Sequence, residues 1–532
     1  MNIDCSKIDD IFSGLDTTHA PGAAIGIAVA GAPVYRKAFG LASVELPVAL
    51  SPSMRMRIGS TSKHFTAFAF MLLCEEGLAD VDGRLGDYLP NLHAVARQVT
   101  MRQLMTNTSG LRDAFDIIWQ FSGEGGPISS AEVTALYQYI SDSNFPAGTS
   151  WAYNNGGFAL VSAAIERITG KSLETVLAER VFRPLRMYDT ALRRTDTDFV
   201  PNSATLHPLD EAGNYVKASA RTEISGEGGI VSTVDDMLRW LANMGNPHIG
   251  SKETWDMITS PHVLPHGRSS GYGFGLVNGS YRGVGVVYHA GSVTGGNAQM
   301  LRVPSQGLDI VVLLNRRDVW GSILAEQILD VCLDGLVVPA FSSDRLVPAG
   351  AYISKATGRV VVVKGAPDAT EAWAAGASAI VSVDGCDVTM TESGPGTLTT
   401  CGMYAFMPLS ICSRTEPDGI SAIELTNCGE VEIFEAAPSA VNGKAEIEGR
   451  YSADSAGVSA QIILRDDAYR FVTKGAFGFA EYSLTELAGD VWEAKSVSQI
   501  PWGGTLLMNS QSQGFWYSSA ARTIALPFTR IA

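Results

Sequence analysis

The chain has 532 residues, 46% of them hydrophobic and 18% charged, which is enough apolar content for large cores and more length than one ordinary domain, so two or three domains are expected. Its 39 basic and 55 acidic residues leave a formal net charge of −16, and no basic run offers a phosphate-binding face, so no nucleic acid is expected as a partner. The longest apolar run, Ala67 to Cys74, falls well short of the ~18–20 residues of a membrane span, so no membrane partner is expected either.

Met1 to Ala20 scatters Asp4, Lys7, Asp9, Asp10 and Asp16 among Ile3, Ile8, Ile11, Phe12 and Leu15, the pattern of an amphipathic helix rather than of a signal peptide, and a cytoplasmic location is expected. Ala24 to Ala30 and Val34 to Phe39 read as strands about a turn at Gly31; Gly283 to His289 and Leu308 to Leu314 read as two more. Ser60 to Gly77, Gly156 to Thr169 and about Ser322 to Leu333 carry helical spacing. Beyond Val337 to Gly350 the helical periodicity gives way to short β-branched runs between glycine turns. Gly350-Ala351-Tyr352, with Gly358 and Val360 to Val363, is echoed by Gly449-Arg450-Tyr451, with Gly457 and Ile462 to Leu464. Two small all-β units at 346–440 and 443–532 account for the echo. The seven cysteines form no C-x-x-C pair and no zinc-like spacing with histidine, so neither metal nor other cofactor is expected.

Three groups of residues can carry chemistry. Ser60-Thr61-Ser62-Lys63 opens a helix after the strand-like Met54 to Ile58, and a lysine one turn beyond a serine lies on the same face, within reach of its hydroxyl. Of the eleven lysines only Lys63 has a serine three positions before it. The apolar run that follows, Phe65 to Leu73, makes this a central helix, in which a desolvated lysine has a lowered pKa and can act as a neutral amine base. Tyr153-Asn154-Asn155 is a glycine-flanked loop able to project side chains into a cleft. His289-Ala290-Gly291 ends an apolar strand, and the small residues after the histidine let a substrate backbone lie against it.

In order and spacing, S-x-x-K, Y-x-N and H-x-G resemble the penicillin-recognising serine enzymes over roughly residues 20 to 335. Leu104 to Leu111, Gly228 to Thr233 and Gly271 to Gly275 add to the likeness. The resemblance implies a multidomain α+β chain: a β-lactamase-like α/β catalytic domain over 1–335, then two antiparallel β-barrel domains, as in bacterial D-aminopeptidases. It implies Ser60 as nucleophile, Lys63 and Tyr153 as proton carriers and His289 as the residue replacing the family's commoner lysine. Asn155, Gly291 and Ser292 would bind substrate, with the backbone N–H groups of Ser60 and Ser292 as the oxyanion hole. The second barrel of such enzymes sends an acidic loop to the active site, a role the resemblance gives to Glu481 within Gly475 to Tyr482. The expected activity is release of N-terminal D-residues from small peptides, amides or esters with a free amine. A carboxylesterase of the same fold, a penicillin-binding protein with little turnover, and a homodimeric assembly all stay open.

Overall fold

The computed structural model describes residues 3–531 apart from 124–126, 211, 220–221, 338–346, 368–376, 404–408, 416–420, 439–446, 489, 498–502, 510–512 and 521. Its first element is the expected amphipathic helix, α1 (Cys5–Phe12), capped by Asp4, whose carboxylate accepts from Ser6 and Lys7 N–H, and buried through Ile8 and Phe12. Strands β1 (Ala23–Val29) and β2 (Ala32–Phe39) then pair about Gly31, whose φ of 78° suits glycine. Late in the same unit come β3 (Val277–Tyr281), β4 (Val284–Val293), β5 (Gly296–Val303) and β6 (Leu308–Leu314). All six join one antiparallel sheet in the order β2-β1-β6-β5-β4-β3.

Both faces of that sheet are covered, so its middle strand is buried at every position. Helix α5 (Val234–Gly245) lies on one face, where Val311 and Leu313 join the core of Val234 and Leu238. The other face receives α6 (Gly321–Cys332) and α1, through Ile310, Val312, Leu324, Ile328 and Phe12. Between β2 and β3 the chain builds a helical layer around α2 (Lys63–Glu75), whose Phe65 and Phe68 pack on Trp240. The helix expected from Ser60 starts at Lys63, because Gly59–Ser62 forms a tighter 3₁₀ turn. Helix α4 (Asn155–Thr169) is capped by Asn154, which accepts from Gly157 N–H at 2.8 Å, and is closed by Gly170 at φ 65°.

Two closed eight-stranded antiparallel barrels follow, the first running from Gly350–Ile353 to Glu430–Ala436 and the second from Gly449–Ala453 to Thr523–Ile531. The sequence echo has a structural counterpart. Tyr352 donates to Pro348 O at 2.9 Å and Tyr451 to Ile447 O at 2.7 Å, each buried, each on its barrel's first strand and each reaching four residues back. The expected limits at 346, 440 and 443 lie outside the described residues. No described helix is long and apolar enough to cross a membrane. All seven cysteines are free thiols, and no group of three His, Cys, Asp or Glu among the described residues is arranged to hold a metal ion.

Helix α3 (Ala114–Ser122) joins the N-terminal unit to the second barrel by entering its core. Phe121 packs with its ring tilted against Tyr517 (5.1 Å between centroids) and Phe528 (5.7 Å) inside the barrel. Gln120 accepts from Tyr517 Oη at 2.6 Å and from Tyr482 Oη at 2.9 Å, while Asp116 accepts from Thr523 Oγ1 at 2.6 Å and Ser519 Oγ at 3.1 Å. The helix therefore brings both apolar burial and satisfied polar contacts to the joint. Phe121→Ala is expected to remove about 3–5 kcal/mol from the stability of the docked barrel, seen as a lowered thermal midpoint by circular dichroism; an unchanged midpoint contradicts this plug.

Candidate active site

Ser60 sits in the Gly59–Ser62 turn, and the turn is pinned on both sides. Thr61 Oγ1 donates to His289 O at 3.1 Å, tying it to β4, and Ser62 Oγ donates to Gly59 O at 2.7 Å while accepting from Ile230 N at 3.1 Å. Strand β4 passes so close that a Cβ on Gly291 would stand 1.8 Å from Ile58 O and 3.1 Å from Ser60 N. A Cβ on Gly59 would likewise meet Ser292 N at 2.6 Å. Glycine at both positions is what allows the Ser60 and Ser292 backbone amides to share one small region.

One turn beyond Ser60, Lys63 is fully buried. Its Nζ lies 3.1 Å from Ser60 Oγ, 2.7 Å from Asn155 Oδ1 and 2.6 Å from the Glu227 carbonyl oxygen. The amide and peptide oxygens only accept, so they take the two N–H bonds of a neutral amine and leave its lone pair for the Ser60 hydroxyl. Burial pushes Lys63 down to about 7, against the charges of Glu227 and Asp113 and with help from Arg522. The amine is thus both oriented and poised as a base near neutral pH.

Tyr153 is buried over Lys63, with Nζ 4.8 Å from its ring centre and its hydroxyl hydrogen-bonded to Ser60. Burial raises its pKa, so the phenol keeps its proton and is a donor to Ser60 or to a group attached there. Asn154 and Asn155 divide their work. The Asn154 side chain caps α4 and donates to Leu111 O at 2.6 Å; that of Asn155 holds Lys63. Beneath them Asp113, wholly buried at the start of α3, accepts from the N–H groups of Phe115 (3.1 Å), Asn155 (3.1 Å) and Gly156 (2.9 Å). The other quoted segments support this cluster: Asn107 Oδ1 accepts from Asn154 N at 3.2 Å, and a Cβ on Gly275 would strike His64 N at 2.7 Å.

His289 takes a different place from the one expected. Its ring is buried behind Tyr153 at 6.4 Å between centroids, and both ring nitrogens are committed. Nδ1 donates to Ala290 O at 2.6 Å, which leaves Nε2 to accept from Tyr272 Oη at 3.0 Å. Burial, then the nearby Lys63 charge, pushes it down to about 3. In this geometry it is a neutral group that holds the Tyr272 hydroxyl and the Ala290 carbonyl.

Glu481 is not brought to the cluster. It lies on the strand Phe479–Ala488, where its neighbours Ala480 and Tyr482 are buried inward, so strand alternation turns Glu481 outward. There its carboxylate meets Arg465 Nη1 at 3.1 and 3.4 Å and Arg470 Nε at 4.0 Å. A cation of the second barrel does reach the cluster. Arg522, its side chain 9% exposed, places Cζ 5.3 Å from the Tyr153 ring centre and Nη1 3.9 Å from Asp113 Oδ2. Neither Arg522 nor the buried Glu227 was anticipated from the sequence. Arg522 stands in no local motif, whereas Glu227 immediately precedes the Gly228 to Thr233 segment that was singled out.

Comparison with known proteins agrees with this architecture. The Beta-lactamase family model matches residues 8–331, and the chain belongs to that family. Among curated relatives it is 29% identical over 317 residues to a D-aminopeptidase of Brucella canis, covering 59% of this chain and 60% of that protein. It is 28% identical over 325 residues to a D-aminopeptidase of Cereibacter sphaeroides, covering 59% of this chain and 61% of that protein. The matched stretch thus spans about three fifths of these relatives' length. The octameric penicillin-binding protein homologue from Pyrococcus abyssi shares the fold, with a TM-score of 0.57 at 21% identity over 90% of this chain and 100% of that one. So does the D-amino acid amidase from Ochrobactrum anthropi SV3, with a TM-score of 0.53 at 19% identity over 62% of this chain and 99% of that one.

Two substitutions test the geometry. Gly291→Ala is expected to push β4 off the Ser60 turn and to lower kcat/KM about 100- to 1,000-fold, the usual effect of losing one oxyanion donor; activity near wild type would mean that the two amides do not act together. Glu481→Gln is expected to leave kcat/KM within about twofold for free-amine and N-acetylated substrates alike, as for a surface change worth less than ~0.5 kcal/mol. A tenfold loss confined to free-amine substrates would put Glu481 back in the site.

Proposed function

We propose that this chain is a serine hydrolase that releases N-terminal D-residues from small peptides, amides or esters through an acyl-serine intermediate. The observation that carries the reading is the dry placement of Lys63 Nζ 3.1 Å from Ser60 Oγ, with its other bonds going to pure acceptors. In this reading Ser60 Oγ attacks the carbonyl carbon as its proton passes to Lys63. The Ser60 and Ser292 N–H groups hold the developing oxyanion. Tyr153 then delivers a proton to the leaving nitrogen or oxygen, and water releases the acyl group by the reverse route. Asn155 keeps Lys63 aimed throughout. The similarity to D-aminopeptidases supports the D configuration and an amine-bearing substrate.

One observation favours a second reading, a carboxylesterase of the same fold. Glu481 is engaged by arginines of its own barrel, and the second-barrel group beside Tyr153 is the cation Arg522 instead of a carboxylate. Esters need neither that carboxylate nor strong leaving-group protonation. Matched D- and L-aminoacyl amides, their N-acetyl forms and simple esters separate the two, since the first reading requires D-aminoacyl amides to turn over faster than their L counterparts. Equal rates for both enantiomers, with esters far ahead, decide for the esterase.

Two further outcomes follow for the mechanism itself. Ser60→Ala is expected to lose about six orders of magnitude in turnover with the fold intact by circular dichroism; near-normal turnover in a preparation free of contaminating hydrolase contradicts the assignment. Because the base is the unprotonated Lys63 amine, kcat/KM is expected to be full above about pH 7 and to fall about tenfold per pH unit below it. A profile flat down to pH 5 would exclude Lys63 as that base.

A further inference from the structure

When Ser60 gives up its proton, an ammonium appears on Lys63 inside a closed pocket, and the charges facing it are uneven. Arg522, from the second barrel, is itself positive. Asp113, from the start of α3, already shares its carboxylate among three backbone N–H groups. Tyr153 and His289 are neutral. Glu227 remains, in the turn Ser225-Gly226-Glu227-Gly228-Gly229, 4% exposed and with its carbonyl oxygen on Lys63 Nζ. Its Oε1 accepts from Ser225 N at 2.7 Å, whereas Oε2 is buried with no hydrogen-bond partner among the described residues. The other cation facing Glu227 is Arg194, which is already engaged by Glu166 and Glu174.

A buried carboxylate oxygen without a partner is costly and calls for a physical reason. Here that reason recurs in every turnover. We propose that Glu227 is a positioning residue for Lys63, its buried carboxylate balancing the lysine ammonium that forms and disappears as Ser60 is acylated and released. The inference rests on the serine-hydrolase reading of the site. In acylation the Oγ–H bond of Ser60 breaks, a third N–H bond forms on Lys63, and Oγ bonds to the carbonyl carbon. As the tetrahedral adduct collapses, that proton leaves Lys63 by way of the Tyr153 hydroxyl for the leaving group, and the bond from carbon to the leaving nitrogen or oxygen breaks. Glu227 exchanges no atom in this cycle and supplies fixed charge. Burial pushes its carboxyl up, while hydrogen bonds from the backbone of Glu227 itself and Ser225 and the charges of Lys63 and Arg194 favour the anion that faces the ammonium.

A purely structural Glu227 would only brace its turn through Ser225 N, and glutamine keeps that bond. The pH profile separates the two roles. Removing the carboxylate makes the ammonium harder to form, so Lys63 loses its proton at lower pH. In Glu227→Gln the acid limb of kcat/KM on a D-aminoacyl amide is therefore expected to move down by about one pH unit, the effect of losing an opposite charge that faces the amine. The plateau above it should fall by up to about tenfold, because a weaker base takes the serine proton. Glu227→Asp, which withdraws the charge by one methylene, should move the limb in the same direction by less, and it carries the test if the glutamine variant does not fold. An acid limb that stays where the wild type has it overturns the proposal, whatever happens to the rate. If Ser60→Ala still turns over, the hydrolase reading itself has failed; if Ser60→Ala is inert while the Glu227 limb stays put, only the role of Glu227 has.

Discussion

The geometry of this site turns on a lysine amine held out of water next to a serine hydroxyl, where burial lowers its pKa. Water would protonate Lys63, so the fold removes water: α2 is buried on almost every side, Tyr153 and Phe158 lie over Nζ at 4.8 and 5.5 Å, and the end of β4 closes the remaining edge. Desolvation alone would leave the amine free to turn. Asn155 Oδ1 and the Glu227 carbonyl restrict it to one orientation, and each is itself held, Asn155 by Asp113 through its backbone and Glu227 through the turn onto Ser62 and Thr66.

That constraint explains why the parts of the chain that meet at the site come from such distant positions. Asp113 is the hub. It caps α3, receives the start of α4 and faces Arg522 of the second barrel, so one carboxylate links the Y-x-N loop to a domain that follows hundreds of residues later. Helix α3 then runs from the active site into the barrel, where Gln120 and Phe121 take part in its core. The barrel is therefore joined to the candidate site through a helix as well as through Arg522. The first barrel touches the same corner, with Asp384 O accepting from Ala520 N at 3.0 Å just before Arg522.

What could be seen in the sequence was what is local. Ser60, Lys63, Tyr153 and Asn155 were legible because a one-turn spacing and a glycine-flanked loop are short-range patterns, and the barrels because a tyrosine near each first strand is repeated with its glycine. Glu481 misled because a glycine- and aromatic-rich stretch reads as a loop, whereas the residues from Phe479 onward pair with Ala468–Lys474 and alternate inward and outward. His289 lies on a strand as expected, but that strand runs on to Val293 instead of ending there, and its partners, Tyr272 and the Ala290 carbonyl, became visible only with the register of β4. Arg522 had no local signal at all, since its meaning lies in a contact with Tyr153, far earlier in the chain.

The central claim, that Ser60 carries the acyl group, is tested most directly by trapping it. The protein would be mixed with a slowly hydrolysed D-aminoacyl ester, quenched in acid within the first turnovers, digested and mapped by mass spectrometry. The account predicts an added acyl mass on the peptide containing Ser60 and on no other, decaying as product appears. Turnover without such an adduct, or an adduct on a different residue that decays at the catalytic rate, would contradict it.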